Sequence, residues 1–416
     1  MRTFGLLKIF TVAILVAAPT AAAAAQEPPP ATEAAGQGGP RAPSRQAAIE
    51  REQAAKAQTS ERYQPNKAEQ IFQRLDTVLT GGRPAWHPYF ESAYAGGGFT
   101  LGVGHLNYVS AYNYLDVRGS YTFSGYKRAE AEFVAPRLFN RRGQLSVLGG
   151  WREATQVGFY GLGTDTPEDG RTNYLFQQPY LSGLLTLFPT RRNLMLRGGI
   201  ELTQWSQDTG EGSFPSVETK YTPQTLPGLG ANVNYVHAQG TVGFDWRPSA
   251  GYARRGGFYG VTLHDYNHGG DEFGFNLIEY EAIQHLPILR ETWVLSLRGR
   301  VQTASEKDEQ QTPFFMLPAL GGGSTLRGYS SWRFRDQNSL LLQAEWRIMV
   351  NRYLDLALFY DTGKVASSTS DLDLDGLKDD FGVGLRFHGP FATPLRVEIA
   401  RSREGLALIF SSSAAF

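Results

Sequence analysis

The sequence predicts an all-β protein, a 16-stranded antiparallel transmembrane β-barrel that follows a disordered N-terminal segment and one short helix. From about residue 86 to the C-terminus, apolar and polar residues alternate with a period of two, which is typical of β-strands. Charged residues recur in the middle of the polar face, which indicates a water-filled lumen. Short and long connections alternate along the chain, as in barrels that cross a membrane.

The alternation is clear in the stretch from Leu340 to Ile348. Its even positions are Leu, Leu, Ala, Trp and Ile, whereas its odd positions include Gln343, Glu345 and Arg347. A soluble β-sandwich also alternates, so the period alone does not select a barrel. The charges in the middle of one face, repeated strand after strand, favour a lumen over a solvated outer surface.

The connections separate into two sets. Short turns are predicted at Asn140–Gly143 and Pro189–Arg192. The long connections span residues 160–172, 206–231, 306–338 and 365–379.

We expect the first strand near residues 88–95 and the last at 405–416. Aromatic residues near strand ends are predicted to form girdles at the membrane surfaces: Trp86, Trp151, Phe159, Tyr160, Trp205, Trp246 and Tyr259.

The N-terminus has the features of an export signal. Arg2 and Lys8 precede an apolar run, and small residues end the segment, so residues 1–25 are predicted to be a signal peptide. The apolar run is shorter than the ~20 residues that a membrane helix needs. Residues 26–65, rich in Pro, Ala, Gln and charge, are predicted to be a disordered periplasmic linker, with a transient polar helix near 44–57.

Residues 66–80 are predicted to form a short amphipathic helix before the barrel at 86–416. Asn66 can cap its N-terminus, Glu69 completes a capping box, and Gly81 ends it. Two interpretations stay open. The helix either docks at the barrel mouth as a gate or packs loosely at the periplasmic rim.

Composition excludes several classes of function. The chain has no Cys and a formal net charge of +0, so disulfide, thiolate and nucleic-acid chemistry are not expected. The run from Asp371 to Asp375 has alternating carboxylates as in a Ca²⁺ loop, but its twelfth position is Gly382 instead of Glu. No motif for nucleophilic or phosphate chemistry is present. We therefore predict no catalytic residue, no metal and no cofactor.

The most specific motif is the glycine-rich stretch from Leu320 to Tyr329, which ends in Leu326, Arg327, Gly328 and Tyr329. Together with the acids of the two following segments, Glu345 and Asp361, it resembles the Omp85 superfamily of outer-membrane β-barrels. In that family the sixth extracellular loop folds back into the lumen through such an arginine motif.

The resemblance implies that Arg327 pairs inside the lumen with Glu345 and Asp361. The alternation of the two strands independently places both acids on the inward face. A planar guanidinium can serve two carboxylates with directional hydrogen bonds. The immediate role expected of this cluster is to hold the long loop in place.

The C-terminal stretch alternates through Phe410 to the terminal Phe416. It resembles the C-terminal signal by which the barrel-assembly machinery recognises its clients. We therefore expect the protein to be such a client, located in the outer membrane of a Gram-negative bacterium with its N-terminus in the periplasm.

The function expected from the resemblance is insertion or translocation of proteins or lipids at the outer membrane. It would use a loop-plugged lumen and a lateral seam between the first and last strands. The partners implied are outer-membrane lipids and nascent outer-membrane proteins or exported substrates. The expected departure from the family is a lack of POTRA domains. A passive porin-like channel and a structural surface-antigen barrel stay open as alternatives.

Overall fold

The computed structural model describes residues 45–59, 84–190, 193–270 and 272–416. The predicted signal peptide and the predicted helix at 66–80 lie outside the described residues. The chain divides into two units, residues 1–64 and 65–416. In the described part of the chain, no helix is both long and apolar enough to cross a bilayer.

The described part of the first unit is a helix, α1, at Arg45–Thr59. It lies inside the segment 26–65 predicted to be a linker, at the place where a polar helix was expected near 44–57. Ala, Glu, Gln, Lys and Arg are strong helix formers, and they make up most of this stretch.

The second unit is built on one 16-stranded sheet in which each strand pairs antiparallel with the next. Its strands are β1 Trp86–Pro88, β2 Thr100–Tyr108, β3 Tyr114–Thr122, β4 Lys127–Leu138, β5 Gly143–Phe159, β6 Thr172–Leu187, β7 Leu194–Thr209, β8 Asn232–Asp245, β9 Gly256–His268, β10 Phe275–Leu289, β11 Trp293–Glu306, β12 Asn338–Asn351, β13 Leu354–Ala366, β14 Lys378–Phe387, β15 Leu395–Ser402 and β16 Gly405–Ser411. The predicted all-β class and strand number are confirmed.

The alternation sorts side chains to the two faces of the sheet. On β12, Glu345 is 2% exposed, whereas the neighbouring Leu342 is 36% exposed; on β13, Asp361 is 0% and Leu358 42% exposed. The polar face is thus turned inward and the aliphatic face outward, the reverse of a soluble barrel. This inversion is the pattern of a sheet whose outer face lies in lipid.

The sheet curls around the connection between β11 and β12, residues 307–337, which we call the lumen loop. Trp332 of this loop donates to the carbonyl of Ala95, 3.0 Å away, and Arg335 donates to the Tyr174 hydroxyl at 3.1 Å. Arg327 of the same loop contacts β12, β13 and β15. Contacts with both halves of the sheet place the lumen loop inside.

The two outermost strands differ from the predicted boundaries. β1 ends at Pro88, and the chain then turns inward instead of continuing as a strand to residue 95. Tyr89 donates to Glu130 at 3.0 Å, and Tyr94 donates to Gln178 at 2.7 Å. Acceptors on the inner wall therefore satisfy these tyrosines, and the segment leaves the sheet.

The last strand ends at Ser411, so the predicted alternation does not continue to the C-terminus. Phe410 is 55% exposed on the outer face. Phe416 instead packs against the buried side chains of Phe258 and Ile283. Its ring lies parallel to that of His285, with centroids 6.3 Å apart. The terminal residues enter the barrel because an apolar pocket is available there.

A large aromatic cluster fills the end of the barrel that carries the long loops. Phe314 is 0% exposed and lies with its ring centroid 5.1 Å from those of Phe159 and Tyr174. Trp205 packs against the same cluster. Phe159, Tyr160 and Trp205 were predicted to belong to membrane girdles, and that interpretation is wrong because their rings pack inward.

We expect Phe314→Ala to lower the free energy of unfolding by about 3–5 kcal/mol, because it opens a cavity in a close-packed apolar cluster. Urea titration in lipid vesicles, followed by Trp fluorescence, measures the change. Phe391→Ala is the matched control, since Phe391 is 62% exposed. Equal effects of the two substitutions would show that the cluster adds little to stability.

Candidate functional site

The lumen loop contains a tight turn that carries the predicted motif. A short antiparallel pair, Ala319–Leu320 with Phe334–Arg335, closes the base of this turn. Gly321 and Gly322 follow with φ of 113° and 95°, a region that favours glycine. A Cβ at Gly321 would lie 2.2 Å from the carbonyl oxygen of Ser330, so only glycine fits.

Leu326 and Tyr329 anchor the turn on apolar contacts. Leu326 is 0% exposed and packs with Leu341 and Val365 of the barrel wall. Tyr329 is buried, and its hydroxyl donates to the carbonyl of Asp379 at 3.2 Å. Burial, followed by the charge of Asp379, raises the pKa of Tyr329 to about 12, so this hydroxyl keeps its proton and acts as a donor.

Gly328 lets the turn lie directly on the wall. A Cβ at this position would lie 2.6 Å from the Cβ of Asp380 and 3.0 Å from that of Ser402. The Ser402 hydroxyl donates to the Gly328 carbonyl at 2.7 Å. Glycine is needed here for close approach, since its φ is not in the left-handed region.

Arg327 is 1% exposed and reaches three carboxylates from three strands. Its Nε and Nη2 donate to the two oxygens of Asp361, both at 2.7 Å, in a bidentate pair. Its Nη1 donates to Glu345 at 2.9 Å and to Glu398 at 2.8 Å. Its guanidinium carbon lies 3.6 Å from the centroid of the Phe359 ring. The structure thus brings Arg327, Glu345 and Asp361 together.

Three further members of this group were missed by sequence reasoning: Arg386, Arg396 and Glu398. Arg386 donates to Glu345 at 2.7 Å and to Glu398 at 2.5 Å. Arg396 donates to Glu398 at 2.9 Å. We call these six residues the arginine cluster. The alternation of side chains along β14 and β15, followed as it was along β12, would have placed Arg386, Arg396 and Glu398 on the inner face.

The energetics of the arginine cluster follow from its burial. Its carboxylates at Glu345, Asp361 and Glu398 are at most 2% exposed, so each is deprived of water. An ion pair removed from water is not by itself stabilising, but an unpaired buried charge costs about 3–5 kcal/mol. The cluster therefore makes any loop position that withdraws Arg327 unfavourable, and it holds the loop in one register.

Two more buried arginines fasten the rest of the lumen loop. Arg333 donates to Glu404 at 2.8 Å and to both the hydroxyl and carbonyl of Thr166, at 2.7 and 2.6 Å. Arg335 donates to the carbonyl of Phe314 at 3.0 Å. Burial raises the pKa of Glu404, whereas the charge of Arg333 and its hydrogen bond lower it. The loop is thus tied to other loops as well as to the wall.

The opposite end of the lumen is filled by a second polar group. Tyr252, in the connection between β8 and β9, donates to Asp355 at 2.7 Å and stacks on His388 with centroids 3.9 Å apart. His388 lies 3.1 Å from the other oxygen of Asp355. With Phe416 packed nearby, the inward-folded termini and connections occupy the lumen at both ends.

The acidic run at Asp371–Asp375 is part of the loop between β13 and β14. Asp373 pairs with Lys364 at 2.7 Å. In the described ranges, no group of three or more acids and histidines is arranged to hold a metal.

Residues 98–404 match the Omp85 superfamily domain. BamA from Haemophilus ducreyi lacking POTRA domains 1–3 superposes with a TM-score of 0.56 at 12% identity, covering 80% of this chain and 70% of that one. CdiB from Escherichia coli gives 0.51 at 12% identity, covering 78% and 58%. At such identities the likeness concerns the fold. No curated protein sequence matches the chain.

We expect Arg327→Ala and Asp361→Ala to weaken the barrel's resistance to SDS non-additively, with a coupling free energy of about 1–3 kcal/mol. Once the arginine is gone, removing one acid relieves part of the uncompensated charge. Arg327→Lys should recover only part of the loss, because an ammonium cannot form the bidentate pair. The temperature at which the folded band is lost on gels measures each variant.

Arg401→Ala serves as the control, since Arg401 is exposed on β15. Strictly additive losses in the Arg327 and Asp361 variants would show that the two side chains do not act as a unit.

Proposed function

The chain belongs to the Omp85 superfamily of Gram-negative outer-membrane β-barrels, and from this membership we propose that it inserts proteins into the outer membrane or translocates them across it. The observation that carries the proposal is the pair of free sheet edges at β1 and β16. Among the described residues, no strand pairing joins these two strands.

The edges are unequal in length. β1 pairs with β2 through Trp86–Pro88, whereas β16 pairs with β15 along its whole length, Gly405–Ser411. The facing edges leave backbone N–H and C=O groups without strand partners. Such edges are templates for pairing with another strand. In a bilayer an unpaired backbone group is costly, so an incoming strand gains free energy by adding to the edge.

The side chains of β16 suit an edge that meets lipid. Leu406, Leu408 and Phe410 are 69%, 61% and 55% exposed on the outer face. A nascent strand added here would continue the same apolar surface. We propose that the lateral seam lies between β16 and β1 and that nascent outer-membrane proteins or exported substrates enter it. Strand pairing supplies the driving force, so no catalytic residue is required.

The filled lumen opposes the channel alternative. The lumen loop, the aromatic cluster around Phe314 and the inward C-terminus occupy the space that a porin leaves to water. A barrel with only a structural role would be expected to pair its first and last strands. Closing the sheet in this way removes the unpaired backbone N–H and C=O groups of the two edges. These two points favour insertion or translocation over both alternatives.

We propose that the arginine cluster keeps the lumen loop in place while the seam between β16 and β1 opens. We also propose that the barrel-assembly machinery recognises the chain through Phe410 and Phe416. Outer-membrane lipids are the partners of the aliphatic outer face.

We expect the protein in lipid vesicles to accelerate folding of a urea-denatured client barrel, and a covalent tether across the seam to abolish this. The chain has no Cys, so Trp86→Cys with Leu408→Cys introduces the only two thiols. A reducible bismaleimide joins them, and reduction should restore the acceleration. Gel migration of the folded client measures the rate.

The matched control places a tether across β15 and β16 with Ile399→Cys and Leu408→Cys, which are already paired in register. It should leave activity unchanged. Full activity of the seam-tethered protein would reject lateral opening, and an untethered protein with no effect on folding would reject the insertase function.

A further inference from the structure

One acid beside the arginine cluster has no place in its ion pairs. Asp380, on β14, is 0% exposed. It lies directly opposite Asp361 in the register of β13 and β14. Two carboxyls therefore face each other on the inner wall, under the turn that carries Arg327 and Gly328.

Asp361 has a full set of donors around it, whereas Asp380 has no cationic or hydroxyl donor among the described residues. Asp361 accepts two hydrogen bonds from the guanidinium of Arg327, a third from the Arg327 backbone N–H at 3.4 Å, and a fourth from Gln343 at 3.1 Å. In the described part of the chain, no Lys, Arg, Ser, Thr or Tyr side chain donates a hydrogen bond to either carboxylate oxygen of Asp380. Buried polar oxygens are almost always satisfied, so an unpartnered pair of them calls for a missing donor.

The nearby cations are committed elsewhere. Arg327 directs its donors to Asp361, Glu345 and Glu398. Lys378, on the same strand as Asp380, pairs with Asp165 at 2.8 Å. The charge on a second buried carboxylate at this position would therefore be uncompensated.

The other groups around Asp380 do not supply a charge of the right sign. The loop places Gly328 and Tyr329 over it, and Tyr329 keeps its proton. β15 contributes Ser402, whose hydroxyl is bonded to Gly328. At the adjoining turn, Glu404 is paired with Arg333. The titratable and charged groups facing the pair from each neighbouring element are thus Arg327, Tyr329, Lys378, Arg333 and Glu404.

We propose that Asp361 and Asp380 share one proton, and that this proton is a structural part of the seat of the lumen loop. Two carboxylates in contact inside a protein do not both ionise, because each charge disfavours the other. A proton on Asp380 turns an acceptor into a donor toward Asp361. That single change gives the protonated oxygen of Asp380 a hydrogen-bond partner, removes the charge of Asp380, and leaves Asp361 its full charge for Arg327.

The shared proton makes the stability of the barrel depend on pH. The folded barrel binds a proton here that an aspartate in water releases near pH ~3.9, so the folded state holds more protons than the unfolded state above that pH. Stability therefore falls as the pH rises from ~3.9 up to the pH at which the folded barrel loses the shared proton. The pair of Asp361 and Asp380 is then a proton-binding site. Its protonation state changes the free energy with which the wall holds Arg327.

Infrared spectroscopy of the full-length protein in lipid tests the proton directly. At about pH 7 we expect the carbonyl stretch of a protonated carboxyl, shifted in heavy water, and we expect Asp380→Asn to remove it. Asp379→Asn is the control, since Asp379 is the next residue and points to the other face of β14. A spectrum without this band would show an ionised, hydrated pair and would overturn the proposal.

A second measurement follows the loop. The temperature of SDS-induced unfolding of the wild type should fall as the pH rises above ~3.9, up to the pH at which the infrared band is lost, and Asp380→Asn should remove most of this fall. An identical fall in the variant would place the titrating group elsewhere and would contradict the proposal. If the variant does not fold, the pH titration of the infrared band in the wild type still decides the question.

Discussion

The interaction on which the interior depends is the contact of Arg327 with three buried carboxylates from three strands. A guanidinium with its donors aimed at Asp361, Glu345 and Glu398 has one favourable position. Because the charges are nearly water-free, withdrawal of the arginine leaves them uncompensated. The motif residues on each side of Arg327 hold the backbone where the arginine can reach these carboxylates. Leu326 and Tyr329 pack into the wall, and Gly328 allows the backbone to reach it.

With the lumen loop seated, the interior of the barrel resembles the core of a soluble protein. The aromatic cluster around Phe314 fills one end, and Tyr252, His388 and the terminal Phe416 fill the other. Under the proposed insertion function, the free edges at β1 and β16 are the place where the sheet would pair with another chain. The proposed insertion function and the proposed shared proton of Asp361 and Asp380 thus concern neighbouring parts of one wall.

Much of the site could be read from strand phase. The period of two places Glu345 and Asp361 inward without any knowledge of pairing, and the glycine-rich motif supplies the arginine. The same rule, extended to β14 and β15, would have included Arg386 and Glu398. The unpartnered state of Asp380 could not be read in this way, because it depends on which strand lies opposite and on where the loop directs its donors.

The sequence by itself determined the class of fold, the number of strands and the face to which each strand side chain points, because alternation is a local property of the chain. The tertiary structure alone decided where the alternation stops. Residues 89–95 and the terminal Phe416 carry strand-like patterns, yet both turn into the lumen. Acceptors and an apolar pocket supplied by distant strands stabilise them there, and no local pattern records those partners.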